Sequence, residues 1–117
     1  MEEQAIIDLA IYHQLKDLMG ADFLVELIDT YNTETAALIV QLGKALASCE
    51  AVSFERFAHS IKSSSASLGA LAFSQQAREL EMMGKANNLS GASPKLEQLV
   101  ANFQQVKRCL EELRDEP

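Results

Sequence analysis

Residues 54–70 read FERFAHSIKSSSASLGA. On a helical wheel at about 100° per residue, Phe54, Phe57, Ile61, Ser64 and Leu68 fall within an arc of about 80°. Ala58 and Ser65 border that arc and are small enough to sit against a neighbouring helix. Gly69 follows, a residue that readily takes the left-handed conformation that ends helices. The stretch is therefore one amphipathic helix with an unusually polar outer face.

The same period runs through the rest of the chain. Ile6, Ile7, Ala10, Ile11, Leu15 and Leu18 predict a short first helix over 5–18, stopped by Gly20. Phe23, Leu24, Leu27, Ile28, Tyr31, Leu38, Leu42, Ala45 and Leu46 predict a long second helix over 21–49, with the polar patch Asn32–Thr35 placed to interrupt or bend it. The third helix is expected over 53–68 with Ser53 as N-cap, although Val52 is also a candidate for its first turn, and the fourth over 71–86 with Phe73, Ala77, Leu80 and Met83 on one face. Asn87–Pro94 is the clearest loop. Ser93 followed by Pro94 reads as the cap and first turn of a fifth helix over 94–114 carrying Leu96, Leu99, Val100, Phe103, Val106, Leu110 and Leu113. Strict alternation, which a strand requires, is absent over any useful length. The expected fold is all-α, an antiparallel up-down four-helix bundle with a short additional N-terminal helix.

With 117 residues, the chain has room for one apolar core and one domain, 1–117. Its net charge is −7, from 17 acidic and 10 basic residues with no basic run, which argues against nucleic acid or an anionic membrane as a partner. Cys49 and Cys109 have no metal or redox spacing and are expected as reduced, mostly buried thiols. His13 and His59 are 46 positions apart without a third ligand, so no metal site is expected. The acidic N-terminus MEEQAIIDLA does not resemble a signal peptide, and no apolar run reaches the ~18 residues of a membrane span, so a cytoplasmic location is expected.

His59 falls near 140° on the wheel, about 180° from the centre of the apolar arc, so its imidazole faces outward. Around it lie Glu55, Arg56, Lys62, Ser63 and Ala66. A solvent-facing imidazole is an effective nucleophile toward a phosphoryl group. Lys62 and Ser63, one turn along, can meet the added charge, and the small Ser63 and Ala66 leave room for a second protein. A lone surface histidine is usually nothing more than that, and wheel geometry does not separate the two readings.

The residues His59-Ser60-Ile61-Lys62-Ser63-Ser64-Ser65-Ala66-Ser67-Leu68-Gly69-Ala70 resemble the signature of the histidine-containing phosphotransfer (HPt) domain, His-x-x-Lys-Gly-Ser-Ser-x-x-x-Gly-Ala. Ala58 before the histidine, Asp22-Phe23-Leu24, and Leu80-Glu81 on the fourth helix also match places where members of that family carry similar residues. The resemblance implies that His59 is phosphorylated by the aspartate of a receiver domain, often part of a hybrid sensor kinase, and passes the group to the aspartate of a response regulator. It implies electrostatic assistance from Lys62 and a hydrogen bond accepted by Glu81 from the imidazole, which orients the ring. Mg²⁺ would be held by the receiver, with no cofactor bound by this chain, which would act as a monomeric carrier rather than an enzyme.

One position departs from the signature: the glycine after the lysine is Ser63. Its side chain either loosens the approach of the receiver or offers a hydroxyl to the phosphoryl oxygens. No GxxxxGK[ST] loop is present, so self-phosphorylation from ATP is not expected. The other reading of the motif is a binding-only module that keeps the docking face and regulates a receiver without carrying phosphate. Docking is expected around Ser63, Ala66, Arg56 and Glu55, with Ile11 and Leu15 of the first helix as apolar candidates. Met19, Met82, Met83 and the phenylalanines are expected mainly as core filling, and His13 as ordinary surface.

Overall fold

The computed structural model describes residues 6–116, which form α1 (Leu9–Met19), α2 (Ala21–Ala47), α3 (Ala51–Ser67), α4 (Leu71–Lys85) and α5 (Ala92–Arg114). No strand occurs among the described residues. The helices α2 to α5 form the antiparallel up-down bundle that the periodicity predicts, each packed on its neighbours in the ring, with α1 folded back on α2. No helix among them is long and apolar enough to cross a membrane.

Local chemistry moves several boundaries. Asp8 caps α1 by accepting from the backbone N–H of Ala10 (3.0 Å) and Ile11 (3.2 Å), so that helix begins later than expected; residue 5 lies outside the described residues. Ser53 does not cap α3, which starts at Ala51 after Glu50. Ser93 does not cap α5 either: Gly91 takes that place, and Pro94 sits within the first turn, where its missing N–H costs nothing. The patch Asn32–Thr35 does not interrupt α2, because Tyr31, Asn32 and Thr35 face inward and burial overrides their weak helix propensity.

The core is filled by Leu24, Ile28 and Leu42 of α2, Phe54 and Ile61 of α3, Leu80 of α4, and Leu99 and Leu110 of α5. Met19, Met82 and Phe23 are exposed rather than core-filling, since they lie off the inward stripes of short or terminal helical segments. Cys109 is buried, but Cys49 is exposed in the turn after α2, at a positive φ of 56°.

On α3 the buried stripe is Phe54, Ala58, Ile61, Ser65 and Leu68, while Ser64 is exposed and Phe57 half-buried. The true stripe is thus rotated from the expected one, toward His59. A non-local bond explains this: Ser65 Oγ and the Tyr31 hydroxyl of α2 lie 2.7 Å apart in the core. Burial pushes the Tyr31 hydroxyl up to about 12.

Two glycines set the spacing around α3. Gly69 has φ 91°, and a Cβ there would lie 2.9 Å from the Asp8 carbonyl oxygen; the Asp8 N–H in turn donates to Gly69 O at 2.8 Å, pinning the start of α1 to the α3–α4 turn. Gly84 of α4 lies against the α3 backbone, where a Cβ would come within 2.8 Å of Glu55 N and 2.9 Å of Ala51 O.

Candidate functional site

The close approach at Gly84 brings α4 against α3 one turn from His59. Glu81 lies one turn before Gly84 on α4, and Glu55 one turn before His59 on α3, so the next rung of the seam is the pair His59 and Glu81. At the other end, Ser74 Oγ of α4 donates to the Lys62 carbonyl of α3 at 2.8 Å, fixing the register from the opposite side.

Within this frame the Glu81 carboxylate is almost wholly buried and takes two partners. Its Oε2 lies 2.7 Å from His59 Nδ1, and its Oε1 lies 2.8 Å from Lys62 Nζ. Burial alone would raise its pKa, but the bonds from Lys62 and His59 outweigh that and hold it below the ordinary carboxylate value. An ionised carboxylate can only accept, so Nδ1 carries the hydrogen. The neutral ring then has its lone pair on Nε2, and the His59 side chain is 57% exposed. Lys62 is only 28% exposed: it lies in the seam, not on the outer face.

The serines of α3 are mostly satisfied by their own helix. Ser60, Ser64 and Ser67 donate to the carbonyls of Arg56 (3.3 Å), Ser60 (3.0 Å) and Ser63 (3.1 Å), the usual back-bonding of serine in a helix. Ser63 is exposed, and its hydroxyl takes no hydrogen-bond partner among the described residues. His59 and Ser63 share a groove of about 540 Å³ between α2 and α3, floored by Leu27, Tyr31, Leu38 and Leu68, with Glu34 of α2 also on its wall.

The residues singled out from sequence separate in space. His59, Lys62 and Glu81 come together, and Ser63 joins His59 in the groove. Ala66, Arg56 and Glu55 do not line that groove; Glu55 faces the α4 side at Gly84. Ile11 is half-buried beside Gly69 and Leu15 packs on the core, and neither lines that groove. Leu27, Tyr31 and Leu38 were not singled out as groove residues, though their spacing along α2 places them on one stripe. His13 is exposed, its ring edge-on to Tyr12 at 5.9 Å. No group of three His, Cys, Asp or Glu side chains able to hold a metal ion occurs among the described residues.

The model of the Hpt domain family matches residues 26–116. The fold is similar to the crystal structure of histidine-containing phosphotransfer protein B (HptB) from Pseudomonas aeruginosa PAO1, with a TM-score of 0.88 and 26% sequence identity over 93% of this chain and 94% of that one. No curated protein matches the chain.

Proposed function

The chain belongs to the Hpt domain family, and we propose that it is a phosphorelay carrier that receives a phosphoryl group on Nε2 of His59 from a receiver aspartate and delivers it to the aspartate of a response regulator. The observation that carries this reading is the Glu81 contact, which leaves the lone pair on Nε2 of a ring that is 57% exposed and lines an open groove.

In the forward step the Nε2 lone pair attacks the phosphorus of the receiver's aspartyl phosphate. The acyl P–O bond breaks, and its electron pair stays on the aspartate carboxylate. The Nδ1 proton remains on the ring, facing Glu81, so no proton has to leave for solvent. The positive charge formed on the phosphoimidazole is offset by the Glu81 carboxylate, which Lys62 has kept ionised. The return step reverses these movements, with the imidazole as leaving group and the second receiver's carboxylate as nucleophile. The receivers bring the Mg²⁺, and this chain supplies the nucleophile and the docking groove. It has no kinase activity of its own and works as a monomer in the cytoplasm.

The test is incubation with receivers phosphorylated on aspartate, comparing wild type with His59→Gln. Acid-labile, alkali-stable label on the wild type and none on the variant supports the carrier reading. A wild-type chain that binds its receivers and never takes label is a binding-only module instead.

A further inference from the structure

Of the α3 hydroxyls that line the groove beside His59, the fold leaves one unused. Ser60, Ser64 and Ser67 are turned back onto helix carbonyls and Ser65 is paired with Tyr31, whereas Ser63 is exposed and unpartnered among the described residues. Ser63 lies four residues after His59, a spacing that puts the two Cβ atoms about 6 Å apart on one helix face. Both residues line the same groove. The opposite flank of the imidazole is occupied: Nδ1 faces Glu81, and Lys62 Nζ sits 2.8 Å from the same carboxylate. Of the α3 hydroxyls that line the groove with His59, Ser63 is the one free to donate to a group attached to Nε2, and the exposed guanidinium of Arg56, one turn before His59, does not line that groove.

On the carrier reading above, we propose that the Ser63 hydroxyl donates a hydrogen bond to a phosphoryl oxygen on His59 and lengthens the life of the phosphohistidine. The direction follows from the chemistry of loss. When the group is lost to water, the P–N bond breaks as a new P–O bond forms, the electron pair returns to Nε2 and orthophosphate departs; the phosphoryl passes through a loose, metaphosphate-like state, so its oxygens give up negative charge. A donor to those oxygens is strongest before the bond breaks. It stabilises the phosphorylated ground state more than the transition state, and so slows loss.

The test loads the full chain with potassium phosphoramidate: Nε2 forms its bond to phosphorus while the donor's own P–N bond breaks and ammonia leaves. After removal of the donor, ³¹P NMR follows the decay of phosphohistidine in wild type, Ser63→Ala, Ser63→Gly and Ser63→Thr. Loss of one exposed hydrogen bond should speed decay about five-fold, equally in the Ala and Gly variants, and Thr should stay within about two-fold of wild type. Decay in Ser63→Ala that matches wild type overturns this inference alone, as does an Ala variant slower than Gly, which would make the position purely steric. A wild-type chain that takes no phosphoryl on His59 from this donor or from a phosphorylated receiver overturns the carrier reading as well.

Discussion

Glu81 holds two residues of the neighbouring helix at once, His59 Nδ1 at 2.7 Å on one carboxylate oxygen and Lys62 Nζ at 2.8 Å on the other. The imidazole is thus oriented from outside its own helix, and a cation one turn away keeps the orienting group charged. Glu81→Ala removes both effects and should slow phosphoryl transfer on the order of ten- to a hundred-fold, as misplaced reacting groups do. Glu81→Gln should slow it less, because the amide can accept from Nδ1–H but can also donate to the other tautomer. The ¹⁵N shifts of the His59 ring check this: one tautomer in wild type, a mixture in Glu81→Gln.

Lys62 is expected to act through Glu81. Lys62→Ala should slow transfer and cost about 1–2 kcal/mol of stability, since a buried carboxylate loses one of its two donors. In a Glu81→Gln background the same substitution should have little further effect on transfer. Multiplying effects in the double variant would instead place Lys62 on the phosphoryl group directly.

Stability should depend on pH at both ends of the scale. Glu81 has its folded pKa below the ordinary 4.5, so its contribution is complete above that value and is lost as pH falls through the lower, folded one. Tyr31 is raised from 10.0 to about 12, so its contribution is complete below 10.0 and is lost as pH rises toward about 12. Urea unfolding across pH measures both. The gap between wild type and Glu81→Gln should narrow in acid, and that between wild type and Tyr31→Phe should narrow in alkali.

Gly84, in the last turn of α4, and Gly43, within α2, are both helical but should respond in opposite directions. A Cβ at Gly84 would meet the α3 backbone at 2.8 Å, so Gly84→Ala should cost about 1–3 kcal/mol and loosen the seam that carries Glu81. A Cβ at Gly43 meets nothing within 4 Å, so Gly43→Ala should stabilise by about 0.5–1 kcal/mol. Thermal unfolding of the two variants checks both signs.

The helices and the outward turn of His59 are legible in the sequence because apolar residues repeat with the helical period and glycines punctuate them. What escapes it is decided between helices. Ser64 and Ser65 are adjacent residues of one type; only the Tyr31 hydroxyl on α2 selects Ser65 for the core. The inward face of Asn32 and Thr35 is likewise set by tertiary burial against local propensity. Glu81 and Lys62 are 19 positions apart, and no single-helix period links them; the family resemblance pointed to Glu81, while the Lys62–Glu81 bond is visible only once α3 and α4 are packed at Gly84.

The central claim is that Glu81 fixes the Nδ1 hydrogen and leaves Nε2 of His59 to take the phosphoryl group. It is tested most directly by phosphorylating ¹⁵N-labelled protein with a phosphorylated receiver and reading the ³¹P–¹⁵N coupling on the histidine rings. Phosphorus is expected on Nε2 of His59, with Nδ1 still protonated. Phosphorus on Nδ1 of His59, or on His13, would contradict it.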